Sequence, residues 1–371
     1  MLNVKGREDS EFFMVEVSAV ILAAGQSTRM NTKTAKVLHE VCGRPMLEWV
    51  LTACRTAGVA KHYVVVGYGK EQIVSRYGKD SDVVLVEQPE QRGTGHAVMC
   101  CREHLEGASG LTLVLCGDAP LIRTETVKTL IEKHLQEKSA VTLATAVMAD
   151  PSGYGRIVRD GYGNIQGIVE HNDCNDAQRT ICEINPGYFC FSTPLLLDAL
   201  GKIKPNNKKN EYYLTDALHI LLADGHKATA VTAVAEEDAM GVNNRRQLSL
   251  AGKIMQGRIQ DRLMAEGVTI VDPLNTWVDA RAEIGQDTVI EPFTYLHGQV
   301  KIGANCRIGA GCVTTDATGN GGLAIVIGDG VCVGPGSVLN APVTIAAGRT
   351  IAPGSIIGIA AQDGRKEAAN A

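Results

Sequence analysis

The sequence predicts an α/β protein in two parts: a Rossmann-like, mostly parallel sheet covered by helices, then a parallel β-helix. Three observations carry this. Residues 17 to about 245 alternate short apolar runs with helical patterns, as in β-α-β units. From Val268 onward an aliphatic residue returns every sixth position, the hexapeptide period of a parallel β-helix. Between them, Arg245–Gly267 reads as one amphipathic connecting helix, with Leu248, Ile254, Ile259 and Leu263 among its apolar positions.

Residues 1–16 are mixed and charged. They lack the apolar core and cleavage site of a signal peptide and read as a loose extension. Val17–Leu22, Tyr63–Val66, Val83–Val86, Leu111–Cys116 and Val141–Ala146 are the expected strands. Met46–Ala57, Gly95–His104 and Glu125–Lys138 are the expected helices. The resulting division is an extension at 1–16, a first domain at 17–245, a linker helix at 246–267, a β-helix at 268–358 and a tail at 359–371. In the hexad region aliphatics fall at Val278, Ile284, Ile290, Leu296, Ile302 and Ile308. They resume at Ile327, Val333, Leu339, Ile345, Ile351 and Ile357. Three hexads make one triangular coil. The break between Ile308 and Ile327 predicts that Thr315–Leu323 loops out.

The 371 residues carry 21% charged and 45% apolar side chains and a formal net charge of −5, with no long basic block. Nucleic acid and anionic membranes are therefore not expected partners. No run approaches the roughly 20 apolar residues that span a bilayer. Eleven cysteines, none in C-x-x-C, read as free buried thiols in a reducing cytoplasm. Cys116, Cys182, Cys190, Cys306 and Cys332 lie in apolar runs.

The chemistry begins at the first strand. Leu22-Ala23-Ala24-Gly25 follows an apolar run, and Arg29 and Lys36 follow the loop. Small residues at a strand's carboxyl end let backbone N–H groups approach phosphate oxygens. The two cations can neutralise charge on a transferring phosphoryl group. The string is neither G-x-x-x-x-G-K-[ST] nor G-x-G-x-x-G. Asp118, at the next strand end in Gly117-Asp118-Ala119-Pro120, suits either a hard cation or a helix cap. Asn243-Asn244-Arg245 by itself reads as a helix cap. Gln88, Gln91, Gly93 and Thr94 lie in a Gly-rich loop before a helix. Read alone, such a segment is ordinarily just a loop leading into a helix. His96 reads as structural. No Ser-His-Asp arrangement and no paired carboxylates appear. A phosphate monoester is already ionised near neutral pH, its second pKa being about 6, so its oxygen can attack as a nucleophile without a general base.

Taken whole, Val20–Met30 with Lys36-Val37-Leu38-His39 resembles the signature of sugar-1-phosphate nucleotidyltransferases. From Val17 to Gly358 the chain resembles the bifunctional N-acetylglucosamine-1-phosphate uridylyltransferase / glucosamine-1-phosphate acetyltransferase family. The resemblance implies a left-handed β-helix, commonly trimeric, and a cytoplasmic enzyme of cell-wall precursor synthesis. It implies UTP and N-acetylglucosamine 1-phosphate as substrates, UDP-N-acetylglucosamine as product and Mg2+ as cofactor. It implies Arg29 and Lys36 as catalytic cations. Leu22, Ala23, Ala24, Gly25, Gln88, Gln91, Gly93 and Thr94 would hold the nucleotide. Asp118 and Asn243, the latter in Gly241-Val242-Asn243, would hold magnesium. Gly155, Glu170, Asn185 and Thr215 would contact the sugar phosphate. The rivals are a thymidylyl- or glucose-specific relative and a non-catalytic nucleotide-sugar-binding scaffold.

Three first-domain positions depart from the family pattern. Arg92 stands where an aliphatic residue is usual, Pro186 replaces a threonine, and Cys116 often stands where tyrosine does. The β-helix also reads as shorter than the family's. Pro292-Phe293 precedes Thr294-Tyr295-Leu296 where the family has a catalytic histidine. Thr315-Asp316-Ala317-Thr318-Gly319 stands in place of the acyl-transfer loop. The expectation is a retained scaffold without acetyltransferase activity, with His297 the one residue able to substitute as base.

Overall fold

The computed structural model describes residues 2–5, 12–26, 28–207, 209–315 and 324–358. The chain divides into two compact units. One comprises Met1–His39 with Pro45–Ala251, the other Glu40–Arg44 with Gly252–Ala371.

The first unit is built on a nine-stranded sheet. Val17–Leu22 lies at its heart, parallel to Lys61–Val66 on one side and Leu111–Cys116 on the other. Val83–Glu87 pairs parallel beyond Lys61–Val66. Apart from Ser18 the central strand is apolar, because both its faces are covered. Val17, Ala19 and Ile21 pack with Leu47, Val50, Leu51, Leu130 and Ile131, from helices Met46–Thr56 and Thr124–Glu137. Val20 points the other way, among Val98, Leu196 and Leu218. The four parallel strands thus present their carboxyl ends at one edge, and the loops leaving that edge carry the candidate site.

Beyond Leu111–Cys116 the direction reverses. The long strand Glu183–Ser192 runs antiparallel to it, to Val141–Val147 and to Gly155–Arg159. Its register shifts between Ile184 and Tyr188. Pro186 lies inside that shift, where a residue without an N–H costs no ladder bond.

Two expectations change. The single helix expected over Gly95–His104 is two short ones, Thr94–Met99 and Arg102–Leu105. Cys101 N–H turns back to Val98 C=O at 2.9 Å, tightening the turn between them. The N-terminal extension is not wholly loose, since Leu2–Lys5 pairs antiparallel with Phe12–Val15. All eleven cysteines are free, and Cys182, expected in the interior, is exposed.

In the second unit, strands of two or three residues stack into three parallel sheets of five, five and four strands. Ile284 pairs with Ile302, and Ile290 with Ile308. Every hexad aliphatic is buried except Ile357, at the last coil, which is half-buried. Ile302 pairs onward with Ile327 and Ile308 with Val333, so the ladder keeps register across the longer segment between them. The loop expected at Thr315–Leu323 lies outside the described residues from 316 on, as does the tail at 359–371. The connecting helix is continuous from Arg245 to Ala265.

Ile308 stacks between Ile290 and Val333 with 2% of its surface exposed. Ile308→Ala should destabilise the β-helix by about 2–5 kcal/mol. Urea unfolding followed by circular dichroism checks this, with an unchanged midpoint contradicting the stacked core.

Candidate active site

The loops at the parallel edge bring four distant residues together. Asp118 follows Leu111–Cys116, held by Gly117 N–H to Leu22 C=O at 3.0 Å and by Val242 N–H to its own carbonyl at 2.8 Å. Lys36 opens a short helical turn, Lys36–Leu38. Its ammonium donates to Asp118 Oδ2 and, at 3.1 Å, to Asn243 Oδ1. Arg29 Nη2 donates to the same Asn243 oxygen at 2.8 Å. Two cations therefore converge on one carboxylate and one amide oxygen. Lys36 and Asp118 are largely covered, with 16% and 19% of their side chains exposed, whereas Arg29 is open to solvent.

The alternative reading of Asp118 as a helix cap does not match the fold. The following helix begins at Thr124 with Arg123 before it. Asn244, not Asn243, caps the connecting helix, accepting from Gln247 N–H at 2.9 Å. Gln247 Oε1 accepts in return from Asn243 N–H at 2.8 Å. That reciprocal pair resembles a capping box and leaves the Asn243 side chain free to face the cations.

The loop of Gln88, Gln91, Gly93 and Thr94 packs against the small-residue loop. Gln91 Nε2 donates to Ala24 C=O at 2.6 Å, and Gln26 N–H reaches Gln91 Oε1 at 3.4 Å. Gln88 is buried, its Nε2 donating to Gly93 C=O at 3.2 Å and lying 3.1 Å from His96 Nδ1. His96 thus supports the loop from the helix behind it. Gly93 has φ of +107°, and a Cβ there would stand 2.5 Å from Tyr212 C=O. Thr94 Oγ1 accepts from Leu214 N–H at 3.0 Å. Arg92 leans over the Tyr212 ring, 5.1 Å from its centroid. The segment 211–215 is therefore fastened along this loop, a role sequence reading did not assign to it.

Gly155, Glu170, Asn185 and Thr215 also meet. Gly155 lies opposite Asn185 across the strand pair. A Cβ on Gly155 would press Ile168 Cγ2 at 2.9 Å and approach Glu170 Oε2 at 3.5 Å. Thr215 Oγ1 donates to Glu170 Oε1 at 3.1 Å, and Asn185 Oδ1 accepts from Gly187 N–H at 2.9 Å. Burial raises the Glu170 carboxyl above its ordinary range, with Asp173 and Asp216 adding to it against the Thr215 hydrogen bond. A cavity of about 600 Å³ opens beside Glu170 and Thr215, bordered also by Asp173, Tyr213, Asp216 and His219. Cys116, beside Asp118, is pushed up to about 12 by burial, so its thiol stays protonated.

Sequence reading also missed Tyr154 and Gln247. The Tyr154 hydroxyl lies near the Gly241 backbone, which brings the strand of Gly155 close to the loop of Asn243. The only signal for Tyr154 was its place in Gly153-Tyr154-Gly155-Arg156. For Gln247 it was its spacing three residues after Asn244.

Comparison with known proteins places this geometry. The MobA-like NTP transferase domain matches residues 19–205, and the six-repeat bacterial transferase hexapeptide matches residues 281–316. The chain is 44% identical over 330 residues to the bifunctional protein GlmU of Geobacillus sp. (strain WCH70), covering 87% of this chain and 72% of that protein. It is 46% identical over 296 residues to the protein of the same name from Geobacillus thermodenitrificans, covering 80% of this chain and 64% of the relative. Among solved structures, UDP-glucose pyrophosphorylase complexed with UDP-glucose aligns with a TM-score of 0.53 at 19% identity. It covers 66% of this chain and all of that one, a likeness of fold.

Glu170 links burial to stability. A carboxyl raised by folding destabilises the fold when ionised, so the penalty is present above its folded pKa and is relieved as pH falls through it. Glu170→Gln should therefore raise the melting temperature at neutral pH, with the gain shrinking as pH is lowered. Thermal melts of both proteins across pH test the sign.

Proposed function

The chain belongs to the family of the bifunctional protein GlmU, and from that premise we propose that it transfers uridylyl from UTP to N-acetylglucosamine 1-phosphate, yielding UDP-N-acetylglucosamine and pyrophosphate. It is a nucleotidyltransferase by family. The observation that supports the finer reading is the meeting of Arg29, Lys36, Asp118 and Asn243 beside a small-residue loop.

The chemistry asks little of general acid–base groups. A sugar phosphate oxygen attacks the α-phosphorus of UTP. The bond to the bridging oxygen of the β-phosphate breaks, and that electron pair leaves on pyrophosphate. The protein must position the reactants and neutralise charge. Lys36 has three N–H donors, of which Asp118 and Asn243 engage two, and the third remains for a phosphate oxygen. Arg29 offers a second, more exposed cation. Gln88, Gln91, Gly93 and Thr94 would read the uracil beside the Leu22–Gly25 backbone. Gly155, Glu170, Asn185 and Thr215 would hold the hexosamine, where a misfit would leave buried polar groups unpaired.

A magnesium ion fits the donor set. One ammonium nitrogen reaches both Asp118 Oδ2 and Asn243 Oδ1, so the two oxygens lie close enough to share one cation, and both are hard donors. Asp118 and Asn243 would hold it, and its charge would neutralise the triphosphate. In this reading the enzyme works in the cytoplasm, a setting that keeps its free thiols reduced, and supplies a cell-wall precursor as a homotrimer assembled through the β-helix. No helix among the described residues is long and apolar enough to cross a membrane.

The test is pyrophosphate release across nucleoside triphosphates and sugar 1-phosphates, with and without EDTA. Highest turnover with UTP and N-acetylglucosamine 1-phosphate, lost in EDTA, supports the assignment. Preference for thymidine triphosphate or glucose 1-phosphate would move it to a neighbouring specificity, and no turnover would favour a binding scaffold.

Lys36→Ala should lower kcat by about 10²–10³, the usual effect of removing one preorganised charge or donor, while the melting temperature changes little. Wild-type turnover by the variant would remove Lys36 from the mechanism.

We also propose that the β-helix lacks acetyltransferase activity. Pro292, two residues before Thr294-Tyr295-Leu296 where the family has its histidine, has no group that can accept a proton. His297, the substitute base, stacks on Tyr295 with its Nδ1 3.5 Å from the buried Asp279 carboxylate. Acetyl-CoA and glucosamine 1-phosphate should release no free coenzyme A, measured with a thiol reagent. Steady release abolished by His297→Ala would contradict this.

A further inference from the structure

The largest fully buried side chain of the described residues is an arginine. Arg156 is 1% exposed, in the middle of the strand Gly155–Arg159. Buried arginines are ordinarily paired with a carboxylate, because an unpaired charge away from water is costly. Arg156 instead donates from Nη1 to the Tyr154 carbonyl, and its Nη2 lies 3.4 Å from His171 Nδ1. Its Nε has no hydrogen-bond partner. The Asp150 carboxylate is near enough to feel its charge, but Asp150 is exposed and accepts from Ser152 N–H. An apolar side chain would fill this space without the desolvation cost, so packing alone does not account for the guanidinium.

Its neighbours do. Arg156 pairs across to Val169 on one strand and to Ile184 on the other. One residue along from each stand Gly155, Glu170 and Asn185. The two groups that the guanidinium grips are Tyr154, which precedes Gly155, and His171, which follows Glu170. Tyr154 in turn reaches the Gly241 backbone, two residues before Asn243. We propose that Arg156 is a positioning residue: its buried fork ties the Gly155 strand to the Glu170 turn and so sets the sugar-phosphate pocket without touching substrate. The planar fork matters because its donors are held apart in one rigid plane, whereas an ammonium's three donors rotate about a single nitrogen. The inference rests on the sugar-pocket reading above.

Steady-state kinetics of wild type, Arg156→Met, Arg156→Lys, His171→Ala and the Arg156→Met/His171→Ala double variant test it, with folding checked by thermal melts. Arg156→Met should raise the KM for N-acetylglucosamine 1-phosphate about tenfold or more, with the KM for UTP changing less than about twofold. His171→Ala should raise the sugar KM by a smaller factor. The double variant should match Arg156→Met, because both substitutions cut the same link. Arg156→Lys should recover stability but not sugar KM. If Arg156→Met does not fold, the Lys and His171 variants decide the matter through the same split. Folded variants whose two KM values stay at wild type, or rise together, overturn the positioning role while wild-type turnover stands. A wild-type protein that turns over no hexosamine phosphate overturns the pocket reading and this inference with it.

Discussion

One ammonium shared between a carboxylate and an amide oxygen organises the first unit's candidate site. Lys36, Asp118 and Asn243 come from three segments far apart in sequence, and Lys36 reaches both oxygens. Strand order makes this possible. Val17–Leu22 lies directly beside Leu111–Cys116, so the loop of Lys36 and the turn of Asp118 leave the sheet as neighbours. The third segment is brought in by backbone, through Val242 N–H to Asp118 C=O at 2.8 Å. A sheet buried on both faces fixes these loop origins, because sliding a strand by one residue would turn its core side chains to the wrong layer.

The site concentrates charge where the fold can support it. Lys36 and Asp118 are mostly covered, which strengthens their interaction relative to an exposed pair. Farther along the edge the requirement is different. Glu170 is buried among other acidic groups, a stability cost of the kind tolerated where polar recognition is needed. The 211–215 segment lies between these regions, fastened to the base loop through Thr94 and to Glu170 through Thr215. The proposed nucleotide and sugar contacts thus share one short strap.

Much of this was legible in the sequence, for physical reasons. The hexad aliphatics announce the β-helix because each side of the triangular coil must bury one side chain. The apolar runs at 17–22 and 111–116 announce buried strands because parallel strands need no polar face. The clustering of Arg29, Lys36, Asp118 and Asn243 was foreseen only through family resemblance, since spacing alone left Asp118 and Asn243 as possible helix caps. What stayed hidden depends on long-range packing. No local signal marks Arg156 as buried, Gln247 as reaching back to Asn243 N–H, or Tyr154 as meeting Gly241. The break after Met99 was missed because a single tight turn barely disturbs helical periodicity. The N-terminal strand pair was missed because each strand is only four residues long and charged residues lie around them.

The central claim is that the four-residue cluster supports transfer of a uridylyl group to a hexosamine phosphate. The most direct measurement follows the α-phosphorus itself. UTP labelled at that atom is incubated with N-acetylglucosamine 1-phosphate and a magnesium salt, and the products are separated. The account predicts that label appears in UDP-N-acetylglucosamine, with one unlabelled pyrophosphate released for each molecule formed. Label that remains in UTP, or that appears in free UMP or UDP without sugar nucleotide, would contradict it.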